Sequence, residues 1–98
     1  TDLVIDEPSH RLSKFFNGLG NAIRLKIVVE LLDDRYYVKE LAERLERSPS
    51  AISRHLKKLS DQDVVQSETV GRKRYYFLKR PDLIRAALAL RSYFERNN

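Results

Sequence analysis

Ser50, Ser53, Arg54 and Lys57 place two compact hydroxyls and two cations along one side of the segment from Ser48 to Leu59. Residues three and four apart share a helix face. A face of this kind suits phosphate oxygens and base edges. A helix meant only for solvent would more often mix Glu with Lys. Ile52, Leu56 and Leu59 follow the i, i+4, i+7 spacing of a buried stripe on the other side. Arg54 can pair bidentately with guanine, Ala51 offers a methyl to thymine, and Ser50 can reach a base edge. Ser53 and Lys57 suit phosphates. Ser48, His55 and Lys58 share the helix and complete the candidate DNA-contacting group. The plainer reading of Arg54 is a surface salt bridge, but Ser50 and Lys58, four residues away, offer no acid. For His55, a phosphate contact and a satisfied half-buried ring are equally compatible with its position.

A second group is Arg72, Lys73 and Arg74, three cations beside the turn residue Gly71. Folding alone disfavours such crowding, whereas a minor groove or a phosphate rail relieves it. Strand alternation puts Arg72 and Arg74 on one side. Tyr75, Tyr76 and Phe77 read as strand packing rather than as a stacking platform for bases.

The elements that must position these residues are mostly helical. Residues 1–8 read as a flexible arm, and residues 9–98 as one domain. Ser9 can cap a first helix carrying Leu12, Phe15, Phe16 and Leu19, weakened near its end by Gly18 and Gly20. Asn21 caps a second helix, to about Asp33, whose apolar residues wrap more than one face and place it at the centre. Tyr36-Tyr37-Val38 allows only a bridging strand. Lys39 to Arg47 forms a third helix. Ser48 caps the fourth, with Pro49 in its first turn. The short link between the third and fourth helices is the helix-turn-helix arrangement. Val64–Val70 and Arg74–Leu78 follow as two strands, with Arg72 and Lys73 at the tip of their hairpin, a wing.

Pro81 opens a last helix, continuing to about Arg96. Its Leu83, Ile84, Ala87, Leu88 and Phe94 form one apolar stripe, which can cover the domain. Ala86, Ala89, Leu90 and Tyr93 form a second, for which another copy of the chain is the simplest partner. The resulting fold class is mainly α with a small β-hairpin wing (α+β): five helices in a winged helix-turn-helix. The alternative for the last helix is a single wide stripe facing the core.

Charge supports an anionic partner. The net charge is +5, and it is unevenly placed. Residues 1–46 hold seven Lys/Arg and nine Asp/Glu, a balance of −2; residues 47–98 hold twelve and five, a balance of +7. Nucleic acid is the first candidate and an anionic membrane the second. No apolar run approaches the roughly 20 residues that span a bilayer. No signal peptide is visible, which points to the cytoplasm and the nucleoid.

The chain contains no cysteine, so disulfides and thiolate metal sites are excluded. Its two histidines, His10 and His55, lie far apart, and a site built from His10 with Glu95 or Asp82 across two subunits is a weak candidate. No metal or cofactor is expected. There is no Gly-rich phosphate loop and no nucleophile with an identifiable base, so an enzyme is not expected.

Four segments together resemble the ArsR/SmtB family of winged-helix repressors. They are Leu19-Gly-Asn-Ala-Ile-Arg-Leu-Lys-Ile27, Val38-Lys-Glu-Leu-Ala42, Ser48 through Leu59, and Gly71-Arg-Lys-Arg-Tyr-Tyr76. The resemblance covers about residues 15–80. It implies a homodimer joined through the first and last helices, here by Leu12, Phe15, Phe16, Leu19, Ala86, Leu90, Tyr93 and Phe94. It also implies a repressor that occludes a pseudo-palindromic operator. Two departures matter. Metal sensors of the family often carry Cys-Val-Cys where this chain has Tyr37-Val38-Lys39, and the family's metal ligands on the last helix do not match either. Asp63 stands where the family usually has glycine before the wing, and Asp tolerates the left-handed conformation better than most residues.

The expectation is therefore a dimeric, sequence-specific regulator of transcription that binds double-stranded DNA, with no membrane partner and an unknown effector. The rival expectations are a winged-helix protein-interaction module and a sequence-indifferent chromatin protein.

Overall fold

The computed structural model describes residues 4–96. Asp6, rather than Ser9, caps the first helix, α1 (Glu7–Leu19). Its carboxylate accepts the Ser9 N–H at 2.8 Å. Pro8 sits inside the first turn, where a missing N–H costs nothing, so it belongs to the helix rather than to the expected arm. Residues 1–3 of that arm, and Asn97 and Asn98, lie outside the described residues.

Helix α2 (Ala22–Asp33) starts at Asn21, whose side chain accepts the N–H groups of Ile23 and Arg24. Ile27 and Val28 are wholly buried, so α2 runs through the centre as its multi-sided apolar pattern requires. Gly18 lets α1 press against the next corner of the chain. A Cβ there would lie 2.9 Å from Val64 Cγ2 and 3.2 Å from Gln62 Cβ. Arg24 fastens the same place, donating from Nε to the Gly18 carbonyl at 2.6 Å and from Nη2 to Asn17 at 3.3 Å. These are carbonyls that the end of a helix otherwise leaves open.

Helices α3 (Val38–Leu45) and α4 (Pro49–Asp61) form the helix-turn-helix. Glu40 reaches back to accept the Tyr37 N–H at the start of α3. Ser48 accepts the Ala51 N–H at the start of α4. Both helices end the same way. Glu46 (φ 54°) and Asp63 (φ 61°) are left-handed. The following N–H groups, of Arg47 and Val64, return to the carbonyls of Ala42 and Leu59 at 3.0 and 2.9 Å. This is the Schellman ending, made here without glycine. The Asp63 departure from the family pattern is thus accommodated as its chemistry allows. Lys14 and Lys79 approach its carboxylate at 3.5 and 3.6 Å. The charge of Lys79, then that of Lys14, holds the acid below its ordinary pKa.

Strands β1 (Val65–Val70) and β2 (Lys73–Leu78) pair antiparallel, from Val65 opposite Leu78 to Val70 opposite Lys73. The loop is only Gly71-Arg72, with Gly71 at φ 63° as a two-residue hairpin of this kind requires. Lys73 therefore opens the second strand and is not at the tip. Tyr36 exchanges both backbone hydrogen bonds with Tyr76, at 3.2 and 2.8 Å, and docks the hairpin on the α2–α3 link. The core runs from Leu19 and α2 through Leu41, Ile52, Leu56 and Leu59 to Val64, Leu78 and Ile84.

The expected last helix is divided into α5 (Pro81–Leu88) and α6 (Arg91–Arg96). Ser92 donates its hydroxyl to the Ala89 carbonyl at 3.0 Å at the break. Hydroxyl back-bonding of this kind competes with the helix ladder. Of the stripe expected to cover the domain, Ile84 is buried and Ala87 and Leu88 pack on the core, but Leu83 and Phe94 are exposed.

Candidate nucleic-acid interface

Helix α4 is oriented by its own sequence. Ile52, Leu56 and Leu59 have no exposed surface. Burying them leaves Ser50, Ser53, Arg54 and Lys57 in solvent together, with Ala51, His55 and Lys58 half-buried beside them. Fully burying three aliphatic side chains contributes roughly 1.5–3 kcal/mol each, which settles which face points outward. The N-terminal cap holds the end that would meet base edges. Ser48 spends its acceptor on that cap and lies 3.4 Å from the Ser50 hydroxyl. Its role is first to start the helix, and its hydroxyl proton remains able to donate.

Arg54 makes no ion pair with any acid among the described residues. The salt-bridge reading of this residue fails on that geometry. Lys57 does have a partner, Asp61, one turn on at 3.2 Å. Both groups are well exposed, so the pair is worth about 0.5 kcal/mol at most and exchanges readily for a phosphate. His55 is half-buried. Burial first, and then the charges of Arg24 and Arg54, hold its imidazole below the ordinary value and favour the neutral ring.

The three cations of the wing separate in space. Arg72 occupies the hairpin loop. Arg74 lies in β2, on the strand face it shares with Tyr76 and Leu78. Both are exposed, and neither pairs with an acid among the described residues. Lys73 turns the other way. Its Nζ donates to the Tyr37 hydroxyl at 3.3 Å and sits 4.5 Å from the centre of the Tyr37 ring. That hydrogen bond, above all, holds its pKa above the ordinary lysine value. Tyr75 packs edge-on against Tyr37 at 5.5 Å. At the root of the same face, Arg35 stacks over Phe77 at 4.4 Å and pairs with Glu68 at 3.0 Å. Tyr75 and Phe77 thus serve wing packing, as expected, and Arg35 and Tyr37 are the residues that sequence reasoning missed.

The apolar residues expected at a dimer contact divide. Leu12, Phe16, Leu90, Tyr93 and Phe94 are 51, 52, 62, 62 and 69% exposed, and Ala86 is exposed with them. Phe15 is half-buried against the core. Leu19 is only 7% exposed. It belongs to the protomer core and is withdrawn from the interface, because the close approach at Gly18 carries the end of α1 inward. A groove of about 910 Å³ separates α1 from α5, floored by Leu12, Phe15, Phe16, Leu83, Ala86 and Leu90. Among the described residues, no group of three His or acidic side chains could hold a metal, and no helix is long and apolar enough to cross a membrane.

Comparison with known proteins agrees with this geometry. Residues 21–67, from the α2 cap to the first wing strand, match the profile described as "Bacterial regulatory protein, arsR family". The helix-turn-helix region of this chain belongs to the arsR family. The match contains the whole helix-turn-helix, and the family is one of regulators rather than enzymes. The "Transcriptional repressor SmtB homolog" of Synechocystis is 32% identical over 72 residues, 74% of this chain and 54% of that protein. The "Cadmium resistance transcriptional regulatory protein CadC" of Listeria innocua is 39% identical over 75 residues, 76% of this chain and 61% of that one. The chain thus spans little more than half the length of the curated relatives it matches. Among solved structures, reduced HlyU from Vibrio cholerae superimposes with a TM-score of 0.76 at 30% identity, covering 86% of this chain and 92% of that chain. The chain therefore has the winged helix-turn-helix fold.

Proposed function

We propose that this protein is a homodimeric, sequence-specific DNA-binding regulator, and that it represses transcription by occluding an operator. The observation that carries the reading is the unpaired Arg54 on the same outer face of a capped α4 as Ser50 and Ser53, together with the exposed, unpaired Arg72 and Arg74 of the wing. In a helix-turn-helix the N-terminal part of the second helix reads base edges. Arg54 is the residue able to specify guanine there. Ser50 and Ala51 flank it, and Ser53, Lys57, Lys58, Arg72 and Arg74 hold phosphates or enter a minor groove. The description of the Synechocystis relative as a repressor supports the sign of regulation.

A second copy is the occupant proposed for the exposed apolar residues of α1, α5 and α6. Leu12, Phe16, Ala86, Leu90, Tyr93 and Phe94 would form its contact, and twofold symmetry would present two α4 helices to half-sites one helical turn apart. An effector, if one acts, would change the spacing of those helices.

Selection of bound duplexes from a random pool, followed by footprinting and titration in increasing salt, tests the reading. A preferred inverted repeat whose affinity falls as salt rises is the expected result. Equal affinity for random and selected duplexes would instead make the protein a sequence-indifferent DNA binder. Affinity insensitive to salt would favour a protein-interaction module.

A further inference from the structure

We propose that Lys73 and Tyr37 form a latch that sets the position of the wing, so that Lys73 is a positioning residue and only Arg72 and Arg74 are the wing's DNA-contacting cations. The proposal rests on the DNA-binding reading above and deepens it. The sequence presents three adjacent cations as equivalent, but strand alternation makes them inequivalent. Residues on β2 at Lys73, Tyr75 and Phe77 share one face, and those at Arg74, Tyr76 and Leu78 share the other. The first face lies against the segment that joins α2 to α3.

Three contacts along that face run from root to tip. Arg35 covers Phe77 at 4.4 Å and reaches Glu68, the cross-strand partner of Tyr75, at 3.0 Å. The Tyr37 ring meets the Tyr75 ring edge-on at 5.5 Å. Lys73, the last of the three toward the tip, lays its ammonium 4.5 Å from the Tyr37 ring centre and donates to its hydroxyl at 3.3 Å. Tyr37 is itself the residue that starts α3, with its N–H taken by Glu40. The latch therefore joins the free end of the hairpin to the first helix of the helix-turn-helix. Without it, the backbone bridge at Tyr36–Tyr76 still holds the root. The outermost two pairs of the ladder, Thr69–Arg74 and Val70–Lys73, would then be free to swing.

DNA binding needs the wing in one orientation, so loss of the latch lowers affinity by the fraction of time the wing is out of place. An exposed cation–π contact supports a factor of roughly two to five per protomer. Such a loss has a signature. A cation that neutralises a phosphate contributes about 0.9 to the slope of log affinity against log salt, whereas a positioning residue contributes nothing to it.

The experiment measures affinity of the full chain for its selected duplex across a salt series, together with the Lys73 side-chain proton shifts in the free protein by NMR. In the wild type the Lys73 Hε protons should be shifted upfield by the Tyr37 ring, and Tyr37→Leu should abolish that shift. Lys73→Gln and Tyr37→Leu should each weaken binding at an unchanged salt slope, and the double variant should lose no more than either single one. Lys73→Arg and Tyr37→Phe should retain most of the affinity. Arg72→Gln should flatten the slope by about 0.9 per protomer. A Lys73→Gln variant that flattens the slope as Arg72→Gln does, with Tyr37→Leu binding normally, overturns the proposal. An unshifted Lys73 in the free wild type does so as well. If Arg72→Gln and Arg74→Gln leave the slope unchanged while the Lys73 shift persists, the latch exists but the wing does not touch DNA, and its assigned role falls with that reading.

Discussion

Leu90→Asp should convert the protein from dimer to monomer without unfolding the protomer. Leu90 lies at the break between α5 and α6 and is 62% exposed, so the protomer core does not depend on it. Full burial of a leucine is worth roughly 1.5–3 kcal/mol, and covering the part still exposed recovers about 1–2 kcal/mol of that. Symmetry places two copies in the interface, so truncation alone removes about 2–4 kcal/mol from association. A buried unpaired carboxylate adds a desolvation cost of several kcal/mol for each copy. Each 1.4 kcal/mol is tenfold in the dissociation constant, so a loss of at least about 1,000-fold is expected. Sedimentation velocity over a range of concentrations measures it, with circular dichroism confirming retained helix. Cooperative binding to an inverted repeat should disappear at concentrations where the wild type is saturated. A folded Leu90→Asp variant that sediments as the wild-type species would refute the assignment of this face to a second copy.

Arg54→Ala should lose roughly 1–3 kcal/mol of preference for the selected duplex, about 5- to 150-fold, while non-specific affinity changes little; an unaltered ranking of duplexes in competition assays would remove Arg54 from base recognition. The folded-state pKa of His55 lies below its ordinary 6.5, first through burial and then through Arg24 and Arg54. The unfolded chain therefore takes up the proton first, so stability is complete above about pH 6.5 and is lost as pH falls through the lower folded value. His55→Gln should flatten this part of the pH profile in urea titrations, and an identical profile for the variant would sink the assignment. Glu46→Gly should raise stability by about 1 kcal/mol, because it relieves a left-handed side-chain residue at φ 54°. At fixed protein concentration the melting midpoint should rise by several degrees, and a fall would show that the Glu46 side chain contributes more than its backbone costs.

The helix-turn-helix was legible because its signals are local. Asn21 and Ser48 cap through their own side chains, and the spacing of Ile52, Leu56 and Leu59 decides which face of α4 is buried. Two parts were misjudged, one for a local reason and one through a distant contact. Ser9 is as good a cap as Asp6 by type, and only the placement of Pro8 within the first turn separates them. Leu19 fits an exposed stripe until Gly18 lets α1 approach Val64.

Sequence by itself determined the fold class, the outward face of α4, the family and the basic half of the chain, because periodicity, caps and charge are properties of neighbouring positions. Tertiary structure alone decided that Arg54 has no acidic partner, that Leu19 is core, that the last helix breaks at Ala89–Leu90, and that Lys73 parts from Arg72 and Arg74. All but the helix break, which the local Ser92–Ala89 bond marks, depend on which segments meet across the fold. Lys73 and Tyr37 are 36 positions apart, and no pattern along the chain records that the wing folds back onto the start of α3.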